Sequence, residues 1–326
     1  MQLEQFKLLY EKNHIDQKKY EEAILILNNY QERLNQISID DASIEQLDQF
    51  ISSLKQNHAC TIDVMIVLMR YYRMIKRNDL FIHLTKYTGG LGVIESIIDR
   101  LKHIVGKEKH REITQKIKIP ELGTHPNEFP KFTEGFVKLL ENTLDQKTVK
   151  CVLAGNHHQI PSSAFLDEKT HYENSDSLDQ YLKELHQRKI EILGNHFKNG
   201  TVWFEQEISQ EVLDFVKSNQ EILSAVRKDD YLYVTKIPYD TKAYLSASTN
   251  EQKRYHACHC PFAKESIKST QTNISGVWCN CSAGFGKYPF EIILDQELEI
   301  EVLENVLRGD MQCRFRIPLI GIKYKK

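Results

Sequence analysis

Five of the seven cysteines in this chain fall between positions 258 and 313. Four of them form two Cys-x-Cys pairs, Cys258/Cys260 in "YHACHCPFAKESI" and Cys279/Cys281 in "VWCNCSAGFGKYPFE", and Cys313 follows in "MQCRFRIPLI". This concentration restricts the fold, because thiols gathered so closely must be oxidised, given to a metal or buried. A disulfide inside a Cys-x-Cys pair closes a strained ring. In a reducing compartment, clustered cysteines point to metal binding or reactive thiols more than to disulfides. Thiolates are soft donors suited to zinc, cuprous copper or iron–sulfur clusters. Four would close a structural zinc site, and three would leave a position open for water or a ligand. Cys258, Cys260, Cys279, Cys281 and Cys313 are therefore the expected metal ligands, with zinc the expected cofactor and an iron–sulfur cluster the second choice. Common zinc modules use Cys-x2-Cys, so redox or nucleophilic thiols and plain burial remain open as well. His256 and His259 flank the first pair and could complete such a site, or could lie on the opposite face.

The rest of the chain sets the frame. With 326 residues, 41% apolar and 27% charged, it has the composition of a globular protein of one to three domains. A net charge of −2 gives no basic field to draw it to nucleic acid. The N-terminal "MQLEQFKLLYEKN" lacks the apolar stretch of a signal peptide, and no run approaches the ~18 apolar residues of a membrane span. The expected location is the cytoplasm.

Helical periodicity dominates residues 1–106. "YEEAILILNNYQERLNQI" brings Tyr20, Ile24, Leu27 and Leu34 to one face. "DDASIEQLDQFISSLK" opens on Asp and Ser cap candidates, and Thr61 caps "TIDVMIVLMRYYRMIKR". "GVIESIIDRLKHIVG" is a fourth helix closed by Gly106. Residues 107–132 hold three of the eight prolines and a charge run, and read as a linker. Residues 133–326 read as an α/β domain. "TEGFVKLLENTL" and "SLDQYLKELHQRKIEILGNHF" are helical, and "TVKCVLAG" and "DYLYVTKIPY" are strands. The cysteine-rich part, 255–326, holds a helix in "AGFGKYPFEIIL" with Pro289 in its first turn, then a hairpin around Arg308-Gly309-Asp310. In the second strand Met311, Cys313, Phe315 and Ile317 share the inward face. The expected fold class is α+β, a helical N-terminal region followed by a C-terminal α/β domain with an antiparallel hairpin.

Other motifs carry less. Cys60 precedes a helix, where a thiol is acidified, but no partner base is visible. His157 and His158 follow a predicted strand and read as a solvated turn, or else as acid–base groups or metal ligands. Gly90 and Gly92 precede a helix without the full phosphate-loop fingerprint. "RYYRMIKR" is basic and aromatic, but at helical spacing its rings belong to a core. No Gly-x-Ser-x-Gly elbow or His-Glu-x-x-His motif occurs.

The glycine-aromatic helix "AGFGKYPFEIIL", the strand "LEIEVLENVL", the Gly309-Asp310 turn and "CRFRI" with its Cys313 together resemble the 4-vinyl-reductase domain, a module related to TRAPP trafficking subunits. The resemblance covers about a fifth of the chain. It implies a small-ligand-binding module whose cysteines hold metal. A weaker likeness is to the aminothiazoline-carboxylate hydrolases, and the whole chain looks like an uncharacterised bacterial family. The expected function is therefore a small-molecule-binding protein with a thiolate metal site beside an apolar pocket. Phe285, Tyr288, Phe290 and Phe315 are the candidate ligand-binding residues, and a small apolar or aromatic ligand is the expected partner. No membrane or nucleic-acid partner is expected, and a homo-oligomer is left open. The alternatives are a hydrolase, using an open zinc or a cysteine nucleophile, and a regulatory adaptor using the helical half.

Overall fold

The computed structural model describes residues 1–326 and has an α+β fold, mostly helical, with a four-stranded antiparallel sheet near the C-terminus. The chain divides into two units, Met1–Gly89 with Pro120–Phe129, and Gly90–Ile119 with Pro130–Lys326.

The first unit contains α1 (Leu3–Lys12), α2 (Gln17–Arg33), α3 (Ile44–Gln56), α4 (Ile62–Met74) and α5 (Asn78–Thr88). Sequence chemistry sets these boundaries. The Ser43 hydroxyl accepts from the Gln46 N–H, and the Gln46 side chain accepts from the Ser43 N–H, which starts α3. Thr61 caps α4 through the Val64 N–H. Tyr71 and Tyr72, from the basic-aromatic stretch, are fully buried with Phe6, Tyr30 and Leu68. They are core residues, as their spacing implied. The glycine Cβ that Gly123 lacks would stand 2.8 Å from Cys60 Sγ, so the returning segment packs against the α3–α4 connection.

The second unit begins with α6 (Val93–Thr114), entered through Gly92 in a left-handed conformation. Gly106 interrupts this helix at φ 80°, where the sequence placed its end, but the chain resumes helical geometry beyond it. The stretch 107–132, expected to be a linker, thus carries the end of α6, a 3-10 turn at Pro126–Glu128 and the start of α7 (Phe129–Thr143). Next come α8 (Gln146–Leu153), α9 (Leu166–Asn174), α10 (Leu178–Asn199), the ribbon β1 (Val202–Trp203) and β2 (Gln206–Glu207), and α11 (Gln210–Lys217). The predicted strand at 148–155 is largely α8. Its apolar, β-branched run mimics a strand, but Asp145 accepts from both the Thr148 N–H and hydroxyl and sets a helix start.

The sheet comprises β3 (Val226–Lys228), β4 (Tyr231–Thr235), β5 (Glu301–Glu304) and β6 (Arg314–Pro318). Its order is β3-β4-β6-β5, all neighbours antiparallel, with Tyr233 opposite Arg316 and Thr235 opposite Arg314. The helices α12 (Thr241–Ser246), α13 (Asn250–Ala257) and α14 (Asn280–Leu294) lie in the chain between β4 and β5. Alternation along β6 works as read: Phe315 and Ile317 are buried, while Arg314 and Arg316 lie over the rings of Tyr233 and Tyr231 at 5.0 and 4.7 Å. Phe290, Ile293 and Leu294 of α14 pack with Leu232 and Ile317 of the sheet and Tyr181 of α10. Pro289 lies inside α14, not in its first turn, because the helix begins earlier than the glycines suggested.

Candidate thiol site

Three separate stretches deliver the five cysteines. Cys258 caps the C-terminus of α13, and Cys260 lies in the loop that follows. Cys279 ends a 3-10 turn and is the N-cap of α14, which places Cys281 in the first helical turn. Cys313 immediately precedes β6, and its carbonyl accepts from the Lys236 N–H at 2.9 Å. Cys258 and Cys313 pack in one cluster with Ala283, Val306 and Phe315, with Cys260 at its margin. None of the five is in a disulfide.

The sulfurs lie near enough for one thiolate to hinder the next. Cys279 is affected by Cys313, Cys258 and Cys260, Cys258 by Cys260 and Cys313, and Cys260 by Cys281. Burial is the larger effect and pushes the thiols up, to about 12 at Cys258, about 11 at Cys260 and about 12 at Cys281, with Cys279 well above the ordinary range and Cys313 also raised. No thiol here has the lowered pKa of an activated nucleophile.

Positive charge and hydrogen-bond donors oppose that burial. The Lys236 ammonium favours the thiolate at Cys260, Cys279, Cys281 and Cys313. It donates to Ser282 Oγ at 2.9 Å and sits 5.3 Å from the centre of the Phe285 ring. The buried Trp278 indole donates to Cys260 Sγ at 3.2 Å. Lys264, buried over the Tyr239 ring at 3.6 Å, favours the Cys258 thiolate. The first turn of α14 adds the positive end of a helix dipole where Cys279 and Cys281 stand.

His259 joins the site's margin. Its Nε2 is 2.6 Å from the Ile237 carbonyl, which can only accept, so Nε2 carries the proton and Nδ1 holds the lone pair. Burial, then the Lys236 charge, keep this imidazole neutral, its pKa far below the usual value. His256 faces Asp240 instead, Nδ1 to Oδ2 at 3.7 Å.

The donor set fits a soft metal in its chemistry but not yet in its spacing. No three histidine, cysteine or carboxylate side chains are arranged around a point as a metal requires. The four aromatic candidates also separate. Phe285 is half-buried with its ring 5.1 Å from that of His158, and Tyr288 meets Phe165 at 5.8 Å. Phe290 and Phe315 are buried in two different core clusters.

The remaining sequence candidates take structural places. His157 is buried, 3.1 Å from Ser96 Oγ and 2.9 Å from the Val152 carbonyl. Burial raises the Cys60 thiol more than Lys55 lowers it, so the acidification expected before a helix is absent. Gly90 packs on Phe262, where a Cβ would stand 2.6 Å from the ring. Sequence reasoning missed Lys236, Lys264, Ser282 and Trp278. Trp278 and Ser282 border the second cysteine pair and were legible by adjacency. Lys236 directly follows β4, upstream of the cysteine-rich stretch, and carries no local signal.

Comparison with known proteins matches residues 233–323 to a family of unknown function, DUF6144. The matched span runs from within β4 past β6 and takes in all five cysteines and Lys236. No curated protein and no solved structure matches the chain.

Proposed function

We propose that residues 233–323 form a metal-binding unit in which four thiolates drawn from Cys258, Cys260, Cys279, Cys281 and Cys313, the two Cys-x-Cys pairs first among them, hold zinc. The observation that carries this reading is the gathering of five cysteines from three stretches, four of them within reach of the Lys236 charge. Zinc with four thiolates has a net charge of −2, which a buried site must offset. Lys236, Lys264, the start of α14 and the Trp278 N–H are the offsetting groups, and a hydrophobic core has no use for them. A metal also displaces the thiol protons that burial otherwise retains. Closing the site requires the cysteine side chains to turn toward a common point.

Five unpaired thiols, four of them buried, suit a reducing compartment, so the cytoplasm is part of this proposal. So is a relation to the 4-vinyl-reductase domain: α14, β5 and β6 follow the helix–strand–strand order that the resemblance implies. Phe285, half-buried between His158 and the Lys236 ammonium, is where a small aromatic or apolar ligand would meet the metal unit. Elemental analysis of protein purified without oxygen tests the reading, with absorption spectra to separate zinc from an iron–sulfur cluster. Zinc in a colourless protein supports it. A protein that takes up no metal, with all seven thiols free on unfolding, removes it.

A further inference from the structure

The first unit contains a second polar centre, independent of the thiols. A cavity of about 400 Å³ opens along α3, and its lining includes Asp48, Lys55, Tyr87, His125 and Glu128. Asp48 forms its anchor. One carboxylate oxygen, Oδ1, accepts from Tyr87 Oη and lies against His83 Nε2, both at 2.6 Å. The other, Oδ2, has only His125 Nε2 near it, at 3.5 Å, beyond a normal hydrogen bond. A carboxylate offers about four acceptor positions, and here the Oδ2 side is free to accept.

The Asp48 side chain is only 22% exposed. Burial alone would raise its pKa, but hydrogen bonds from His83 and Tyr87 and the two histidine charges outweigh it and hold the carboxyl below the ordinary range. His125 is itself fixed. Its Nδ1 accepts from the Asn127 N–H at 3.3 Å, so Nε2 bears the proton and points at Asp48. The Tyr87 ring stands edge-on to both histidine rings, with centres 5.8 and 6.1 Å apart. At the rim, Glu128 Oε1 is 4.0 Å from Lys55 Nζ, too far for a tight pair. Apart from His125, the charged side chains of the lining are two carboxylates, Asp48 and Glu128, against one ammonium, Lys55.

From this geometry we infer that the cavity binds a small organic cation, an alkylammonium, with Asp48 Oδ2 as its anionic acceptor. The ammonium donates to Oδ2 and lies beside the Tyr87 ring, a carboxylate and an aromatic ring being the two features by which proteins recognise such groups. Its charge neutralises the excess of the lining. Lys55 opposes the ligand electrostatically.

The test uses the full chain at pH 8 and n-butylammonium as probe, with uncharged 1-butanol and acetate as controls, read by saturation-transfer NMR. Butylammonium should bind, and butanol and acetate should not. Asp48→Asn should weaken binding by about tenfold or more. Because the Asp48→Asn change could also loosen α5, Lys55→Met gives a second arm, in which removing the opposing charge should tighten butylammonium binding severalfold. Equal binding of butanol, preference for acetate, or weaker cation binding in Lys55→Met would overturn the proposal.

Discussion

Gly284 and Gly286 are both inside α14, the helix that carries Cys279 and Cys281, yet alanine should act oppositely at the two positions. A Cβ on Gly284 would stand 2.5 Å from the Ala154 carbonyl carbon and 2.6 Å from the Gly155 nitrogen and oxygen. Ordinary carbon contacts lie at about 3.5–4.0 Å, so α14 and the end of α8 must separate by about 1 Å. The obstacle is backbone, which has no rotamer to change. Such overpacking costs ~1–3 kcal/mol, from which the better helix propensity of alanine removes ~1. A Cβ on Gly286 would meet only the Phe315 ring, at 3.5 Å or more, an ordinary contact. Gly286→Ala should therefore be neutral or stabilise by ~0.5–1 kcal/mol. Urea denaturation followed by circular dichroism measures both. Gly284→Ala should lower the midpoint and Gly286→Ala should hold or raise it. If Gly284→Ala were as stable as Gly286→Ala, the close α14–α8 approach would be wrong.

Three further outcomes follow from the same unit. Glu221 accepts from Arg314 Nε at 2.7 Å and Nη2 at 2.8 Å, and from Thr235 Oγ1 at 2.7 Å. Burial alone would raise this carboxyl, but these bonds bring it below the ordinary range. Its contribution is thus present above the unfolded value and lost as pH falls through the folded one. Glu221→Gln should cost about 2–3 kcal/mol at neutral pH, and the cost should shrink in acid; a pH-independent difference in urea midpoint would oppose this. For His157, burial lowers the imidazole to about 4, so the folded state takes up its proton only below the unfolded range. Stability should fall as pH drops from about 6.5 toward 4, and His157→Gln should flatten that slope in thermal melts taken across the window. Trp278→Phe keeps an aromatic ring, though a smaller one, but removes the N–H on Cys260, and should weaken zinc binding by roughly tenfold in a chelator competition while the fold persists.

Local chemistry was readable where neighbours in the sequence decide it. Ser43 and Thr61 cap the helices they were expected to cap, and alternation placed Phe315 and Ile317 inward. The reading failed where tertiary contacts decide. The 148–155 run has the residues of a strand, but the Asp145 cap and the burial of Val149, Val152 and Leu153 made it helical. The glycines of "AGFGKYPFEIIL" looked like a helix boundary, whereas Gly284 is a point of close backbone approach within the helix. Phe290 and Phe315 were grouped by proximity in sequence, but helix and strand periodicity sent them into separate cores. The spacing of the cysteines pointed to one shared region, and Cys258 and Cys313 do pack in one cluster with Cys260 against it. The cation beside them carried no such signal, since Lys236 follows β4 and precedes the whole cysteine-rich stretch.

Zinc stoichiometry combined with thiol counting on native protein tests the thiolate site most directly. After purification without oxygen, zinc is measured per chain, and alkylation is followed before and after removing metal with a chelator. One zinc per chain is predicted. Exposed Cys151 should react at once. Cys258, Cys260, Cys279 and Cys281 should react only after chelation, with the melting temperature falling as they do. Protein that binds no zinc when supplied with it, or whose four paired cysteines are alkylated while zinc remains bound, would contradict the account.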